Sequence, residues 1–166
     1  MGITARGAWE STRRHFLELE LDPDRDEFTV VAIGDMSGDI FGNGMLLSKK
    51  IKMIGAFNHQ HIFFDPNPHL KESYEERERL FQQASSTWMD YNPKKISAGG
   101  GVFGRNEKAI PVTPEMREIL NIPAEIQRIA PHELIQSLLC FPVDLLWFGG
   151  IGTFVKAAQE SHAEAH

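Results

Sequence analysis

The chain has little of what marks disulfide-stabilised, secreted and membrane proteins. Cys140 is its single cysteine, so no disulfide can form within the chain. No apolar run approaches the roughly 18 residues that a membrane-spanning helix needs. The N-terminal residues also lack the apolar core of a signal peptide. These absences predict a cytoplasmic protein with no membrane segment.

Several catalytic and metal-binding patterns are missing as well. The Gly-Lys-Ser/Thr of a phosphate-binding P-loop does not occur, and no serine or cysteine triad is recognisable. His59 and His61 lie close in sequence, but no cysteine or carboxylate cluster accompanies them to complete a zinc site. A net charge of −6 argues against non-specific nucleic-acid binding. We therefore expect no metal and no nucleic-acid partner.

The composition that is present, 42% hydrophobic and 24% charged, suits one globular domain. We expect this domain over residues 1–160, with a frayed tail at 161–166. Apolar residues recur at helical spacing over residues 4–19 and predict a helix. Residues 28–33 form a β-branched run without polar alternation, which is typical of a central parallel strand covered on both faces.

The segments after this strand predict a βαβ unit, from which parallel sheets are built. Residues 34–38 form a glycine-rich turn, and apolar spacing then predicts a helix over residues 39–56. A second strand, residues 61–64, ends at Asp65. The order strand, turn, helix, strand and acid predicts a βαβ unit.

The remaining elements complete an α/β pattern. We expect a charged, exposed helix over residues 71–82, a helix that starts after Thr113, and a helix over residues 131–140 with Cys140 on its buried face. Residues 143–148 read as a third buried strand, with a possible last helix beyond it. The sequence therefore predicts a three-layer αβα Rossmann-like domain with a mostly parallel sheet.

The glycine-rich turn is the first candidate site. A turn between a buried strand and a helix lets a diphosphate approach backbone amides at the positive end of the helix. The usual G-x-G-x-x-G spacing is imperfect, since Ala32 replaces the first glycine and Gly38 comes one place late. The alternative is a tight turn that binds nothing.

Asp65 is the second candidate. An acid at the end of the second strand can accept hydrogen bonds from the ribose of NAD and repel the 2′-phosphate of NADP. This assignment requires Asp65 to emerge at the same sheet edge as residues 34–38. The alternative is that Asp65 caps the Pro-Asn-Pro turn at residues 66–68, and the two roles are compatible.

Two glycine-rich stretches later in the chain are weaker candidates. Gly149 and Gly150, with Thr153, follow the third strand and would let a flat ring lie against backbone, although a simple turn explains them equally well. Arg105, after the triple glycine at 99–101, has the chemistry to meet a phosphate or a carboxylate, and a flexible surface loop is the alternative.

Five segments in order resemble the large bacterial NAD-specific glutamate dehydrogenases. They are residues 2–11, 34–46, 61–68, 99–103 and 143–153. The resemblance implies part of a much longer, homo-oligomeric enzyme that oxidises L-glutamate to 2-oxoglutarate and ammonium with hydride transfer to NAD. It implies that the catalytic lysine and aspartate lie before residue 1, so the chain alone would be inactive.

The same resemblance implies a set of NAD contacts. The diphosphate would lie along the glycine-rich turn, the adenosine ribose on Asp65, and the nicotinamide near Thr4 and the glycines after the third strand. In full, the expected contacts are Thr4, Gly34, Asp35, Met36, Ser37, Gly38, Asp65, Gly149 and Gly150. Two alternatives remain: a regulatory module that has kept the fold without the cofactor, and another nucleotide-using enzyme such as a methyltransferase.

Overall fold

The computed structural model describes residues 1–152 and 155–164 and is a mixed α/β fold. The helices are α1 (Ile3–Glu18), α2 (Asp39–Gly44), α3 (Leu70–Gln82), α4 (Pro114–Leu120) and α5 (Pro131–Cys140). The strands are β1 (Phe28–Ile33), β2 (Ile51–Phe57), β3 (His61–Phe64), β4 (Gly101–Gly104), β5 (Ile110–Pro111), β6 (Arg128–Ile129) and β7 (Leu145–Phe148). Short 3-10 helices occupy Trp88–Asp90 and Pro93–Lys95.

A five-stranded sheet in the order β4-β3-β2-β1-β7 forms the centre of the fold. β1 pairs in parallel with β2 on one side and with β7 on the other, while β3 and β4 add antiparallel pairs. Ile33 lies opposite both Phe57 and Phe148. The last residues of β1, β2 and β7 therefore reach one edge of the sheet, which we call the carboxyl edge.

Helices cover both faces of this sheet, as the sequence predicts for a strand without polar alternation. Phe28, Val30 and Ala32 of β1 join a core with α1, α2 and α3. Val31 and Ile33 join a second core with α4 and α5. The expected αβα layering is therefore present in the described residues, and Ala32, at the expected position of the first glycine, lies buried inside the strand.

The predicted helix over residues 39–56 is wrong. α2 ends at Gly44, and residues 51–57 form strand β2 beside β1. Apolar residues in this stretch fit a helical period, but short apolar runs occur in both helices and strands. Gly44, the last residue of α2, packs against Trp147, since a Cβ there would lie 2.4 Å from the ring. The parallel unit is therefore β1–α2–β2.

The predicted parallel placement of residues 61–64 is also wrong. β3 runs antiparallel to β2, because the turn at residues 58–60 is too short for a parallel crossover. Asn58 closes this turn: its N–H donates to the His61 carbonyl over 3.0 Å, and its Oδ1 accepts from the N–H groups of Gln60 and His61 over 2.8 Å each.

Two predicted exposures differ from the structure. α3 is charged, but Glu76 and Arg77 on it are buried. Cys140, expected on a buried face, is exposed at the end of α5. The predicted helix starting after Thr113 is confirmed, since the Thr113 hydroxyl accepts from the N–H of Met116 over 3.1 Å.

The end of the chain holds no helix in its described residues. Residues 155–164 form turns and irregular structure, and Thr153 lies outside the described residues, as do the last two residues of the predicted tail. None of the helices described combines the length and apolar character needed to cross a membrane.

The buried carboxylate of Glu76, in the middle of α3, connects this helix to the segment around the 3-10 helix Pro93–Lys95. It accepts from Arg79 at 2.6 Å and from the N–H of Asn92 at 2.8 Å, and Lys95 Nζ lies 3.3 Å away. Burial by itself raises the pKa of Glu76, but the hydrogen bonds from Arg79, Asn92 and Lys95 outweigh it and hold the pKa below its ordinary value.

Replacing Glu76 by glutamine is expected to lower the free energy of unfolding by about 1–2 kcal/mol at pH 7, because Arg79 and Lys95 lose their negative partner and one acceptor oxygen becomes a donor. A lowered folded-state pKa stabilises the fold above the ordinary value of 4.5 and ceases to do so as pH falls through the folded value. Urea denaturation at several pH values should show the difference shrinking below pH 4.5.

Glu75→Gln on the same helix is the matched control. Glu75 is exposed and lies 3.9 Å from Lys71, so about 0.5 kcal/mol or less is expected. An equal loss in both variants, or a Glu76→Gln difference that persists at low pH, would contradict this account of the buried carboxylate.

Candidate functional site

The glycine-rich turn lies at the carboxyl edge and is anchored on both sides. The Gly34 N–H donates to the Phe57 carbonyl over 2.8 Å, which continues the pairing with β2. The Gly34 carbonyl accepts from the indole N–H of buried Trp88 over 2.9 Å. Trp88 is 54 residues away in sequence, so the sequence offered no local sign that it fixes this turn.

The turn leaves two backbone donors without a partner. The N–H of Gly38 donates to the Asp35 carbonyl over 3.1 Å, and Ser37 donates to the Asp35 carboxylate. Within the described part of the chain, nothing accepts from the N–H of Asp35 or Met36. Met36 is buried as a whole residue, with 1% of its surface exposed, whereas Asp35 is partly exposed, so the N–H of Asp35 is the more accessible of the two. Free amides beside a helix start suit an anionic group.

The glycines at this edge are explained first by packing. A Cβ on Gly34 would lie 2.6 Å from the Phe41 ring, and a Cβ on Gly149 would lie 2.5 Å from the Ile33 carbonyl. Gly149 also donates its N–H to that carbonyl over 2.8 Å. Gly150 has a φ of 78°, which favours glycine. These glycines bring the ends of β1 and β7 and helix α2 into direct contact.

Helix α1 begins at the same edge. The N–H of Gly2 donates to Asp39 Oδ1 over 3.0 Å, which fixes the start of α1 beside the start of α2. Further along α1, Trp9 packs on Trp147, with ring centroids 6.2 Å apart. Thr4 is exposed on the first turn of α1. The structure therefore places the first turn of α1, which carries Thr4, beside the start of α2.

Asp65 does not join this group. β3 starts at the carboxyl edge with His61 and runs away from it, so Asp65 lies about 13 Å further along the sheet, at ~3.3 Å per residue. The N–H of Asp65 pairs with the Ile54 carbonyl, in the interior of the sheet. The premise that Asp65 emerges beside residues 34–38 is wrong, because it assumed a parallel strand.

The surroundings of Asp65 give it a structural role. The carboxylate is fully buried, and its Oδ1 accepts from the Ser97 hydroxyl and from the N–H groups of Asn67 and Ser97. Burial raises the pKa of Asp65, although these hydrogen bonds oppose the rise. The contact with Asn67 shows the capping of the Pro-Asn-Pro turn that the sequence offered as the alternative.

Asn58 occupies the position at the carboxyl edge that Asp65 was expected to hold. It directly follows β2, and its buried side-chain amide donates to Asp35 Oδ2 over 2.8 Å. Its carbonyl accepts from Arg105 Nη1 over 3.0 Å. Placing the second strand at residues 51–57 would have identified Asn58 from the sequence.

A cavity of about 480 Å³ lies beside this turn. Its lining comes from the two loops that follow β2 and β4: His59, Gln60, His61, Arg105 and Asn106. Nδ1 of His61 is buried and has no partner among the described residues. The cavity therefore extends the edge past β2, on the side away from β7.

Comparison with known proteins identifies the chain's relatives. The profile of the family described as "Bacterial NAD-glutamate dehydrogenase, catalytic domain" matches residues 1–166. NAD-specific glutamate dehydrogenase from Pseudomonas aeruginosa is 56% identical over 164 residues, which is 99% of this chain. The proteins of the same name from Halomonas elongata and Mycobacterium tuberculosis are each 54% identical, also over 99% of it.

The chain spans about 10% of the length of these relatives. The family match nevertheless extends over its full length, at a level of identity that leaves no doubt about kinship. The chain belongs to the bacterial NAD-glutamate dehydrogenase catalytic-domain family.

Proposed function

We propose that this chain is the NAD-binding part of an NAD-dependent glutamate dehydrogenase. The reaction is the oxidation of L-glutamate to 2-oxoglutarate and ammonium, with hydride transfer to NAD. The observation that carries the proposal is the carboxyl edge: β1 lies between two parallel strands, β2 and β7, and ends in a glycine-rich turn. Dinucleotides bind at such a point in Rossmann-like folds, where strands are added first on one side of the central strand and later on its other side.

The residues at this edge have the chemistry that NAD requires. The free amide of Asp35, together with Ser37 and Gly38, would face the diphosphate near the start of α2, while buried Gly34 and Met36 hold the turn on the core. The nicotinamide would lie between Thr4 at the start of α1 and the pair Gly149 and Gly150 after β7. NAD supplies the hydride acceptor, and this chain positions it and limits the access of water.

Asp65 is not part of this arrangement, because its carboxylate is buried against Ser97 and lies away from the edge. The chain's membership of a dehydrogenase family also removes the methyltransferase alternative. A second candidate remains, a module that has lost the cofactor. Its support is that Phe41 and Ile33 account for the absence of side chains at Gly34 and Gly149 without any ligand.

Adding NAD to this chain is expected to quench or shift tryptophan fluorescence and to raise the melting temperature, because Trp88 bonds to the turn that would hold the diphosphate. At a concentration tenfold above the dissociation constant, binding adds about 1.4 kcal/mol to stability. AMP and nicotinamide mononucleotide, tested separately, report on the two halves of the edge. No response at about 1–10 mM NAD would favour the cofactor-less module.

Ser37→Asp places a second carboxylate in the exposed turn and is expected to weaken NAD binding by about tenfold or more, because like charges repel the diphosphate. Ser11→Asp is the matched control, since Ser11 is exposed on α1, several turns from its start, and the net charge changes equally. Isothermal titration of both variants measures the difference. Equal dissociation constants in the two would contradict a diphosphate at this turn.

A further inference from the structure

The carboxylate of Asp35 joins the turn after β1 to the turn after β2. Oδ1 accepts from the Ser37 N–H over 3.1 Å and from the Ser37 hydroxyl over 2.6 Å. Oδ2 accepts from the side-chain amide of Asn58 over 2.8 Å. Both oxygens are therefore held in fixed places, while the residue as a whole stays partly accessible to solvent.

The charge of Asp35 decides which part of a dinucleotide it is able to face. A carboxylate pointed at a diphosphate would repel it, whereas the two hydroxyls of a ribose are donors that a carboxylate accepts well. Each oxygen of an ionised carboxylate has room for about two hydrogen bonds. Oδ2, which accepts one bond from Asn58, keeps capacity for a ribose hydroxyl on the β2 side of the turn.

We infer that Asp35 is the residue that binds the adenosine ribose and selects against a 2′-phosphate. The inference rests on the proposed function and assigns to Asp35 the role that was expected of Asp65 from the sequence. A 2′-phosphate carries close to two negative charges near neutral pH. Next to the Asp35 carboxylate it would be strongly disfavoured, so NAD is preferred over NADP.

The acids nearest in sequence or expected role are engaged elsewhere. Asp39 Oδ1 accepts from the N–H of Gly2 and from Asn43 Nδ2, on the α1 side of the edge. Asp65 lies at the far end of β3. The cavity beside Asn58 has no carboxylate among its lining residues. Asp35 is therefore placed to act on a ribose at the end of β2.

Arg105 bonds to the backbone carbonyl of Asn58, whereas Asp35 bonds to its side-chain amide. Arg105 therefore affects how NADP binding should change when Asp35 is replaced. Its N–H donates to the Gln60 carbonyl over 2.8 Å, and its Nη1 donates to the Asn58 carbonyl over 3.0 Å. These bonds hold the turn after β2 in place. Arginine is a good phosphate ligand, and Arg105 and Asp35 share Asn58 as a partner, so with the Asp35 charge removed Arg105 would attract a 2′-phosphate bound there.

The test compares the affinities of NAD and NADP for Asp35→Asn, Asp35→Ser, Asp39→Asn and Asp65→Asn by isothermal titration of the 166-residue chain. Both Asp35 variants are expected to lower the ratio of the NADP to the NAD dissociation constant by about tenfold or more, chiefly through tighter NADP binding. Asp39→Asn and Asp65→Asn are expected to change that ratio by about twofold or less. Adding Arg105→Met to Asp35→Asn should remove the gained NADP affinity.

The outcomes separate this inference from the proposed function. If the unaltered chain binds neither dinucleotide, the proposed function fails and this inference fails with it. If NAD binds and neither Asp35 variant changes the ratio, only the role of Asp35 is overturned. A changed ratio of the two dissociation constants in Asp65→Asn would contradict the assignment to Asp35 and favour Asp65 as the residue that binds the ribose. Thermal unfolding of each variant shows which of them retain the fold. If Asp35→Asn does not fold, Asp35→Ser is used for the comparison.

Discussion

Arg77→Ala is expected to lower the free energy of unfolding by about 4 kcal/mol, through a buried cavity and the loss of the donor to the Met45 carbonyl. The guanidinium is fully buried and donates from Nη1 to the Met45 carbonyl over 2.7 Å, and from Nε to the Ser73 carbonyl over 3.2 Å. It thereby ties α3 to the segment between α2 and β2. Urea denaturation followed by far-UV circular dichroism measures the change.

Arg77→Met separates the two contributions. Methionine fills most of the volume but donates no hydrogen bond, so a smaller loss of about 2 kcal/mol is expected. Burial lowers the pKa of Arg77 to about 10, so the side chain stays protonated at neutral pH and its burial has a cost. If the methionine variant is as stable as the original chain, the hydrogen bonds of the guanidinium do no more than offset the free-energy cost of burying its charge.

Gly42→Ala is expected to lower the free energy of unfolding by about 2–3 kcal/mol through steric overlap in α2. The added Cβ would lie 2.4 Å from the Met36 carbonyl oxygen and 2.4 Å from the Phe81 ring. The ring lies at the surface and is able to turn away, but the carbonyl belongs to the glycine-rich turn and moves only with it. NAD affinity is therefore expected to fall together with stability.

Gly7→Ala provides the matched control for Gly42→Ala. Gly7 is also helical, and nothing lies within 4 Å of the Cβ that it would gain. Alanine there is expected to stabilise the chain by about 0.5–1 kcal/mol, because glycine weakens a helix interior. Chemical denaturation should give changes of opposite sign. Two changes of the same sign and size would show that helix propensity, rather than packing against Met36, governs Gly42.

The sequence predicted the elements whose pattern is long or strongly marked. The apolar spacing of α1, the continuous β-branched run of β1 and the threonine before α4 each placed an element to within a few residues. The helix predicted over residues 39–56 was wrong because the apolar residues there fit a helical period by chance. Gly42 and Gly44 pack against Phe81 and Trp147, which are remote in sequence.

Part of the arrangement at the carboxyl edge was predictable from the sequence, and part was not. The glycine-rich turn and Gly149 meet at one edge, because the carboxyl ends of parallel strands lie together. Asp65 was misplaced since one misread strand reversed the direction of the next. The bonds of Asp35 with Asn58 and of Gly34 with Trp88 join residues 23 and 54 positions apart, and neither leaves a local pattern in the sequence.

The pairing of β1 with β7 has a consequence for the order in which the protein is assembled. Thr29 and Asp144, which bind each other at this seam, stand 115 positions apart, whereas β2 follows β1 almost at once. During synthesis one side of β1 stays open until β7 leaves the ribosome, and closing so long a loop is slow. The turn after β1 and the turn after β2 therefore come together before the end of β7 joins them, and a nascent chain that stalls before residue 145 leaves one edge of β1 unpaired.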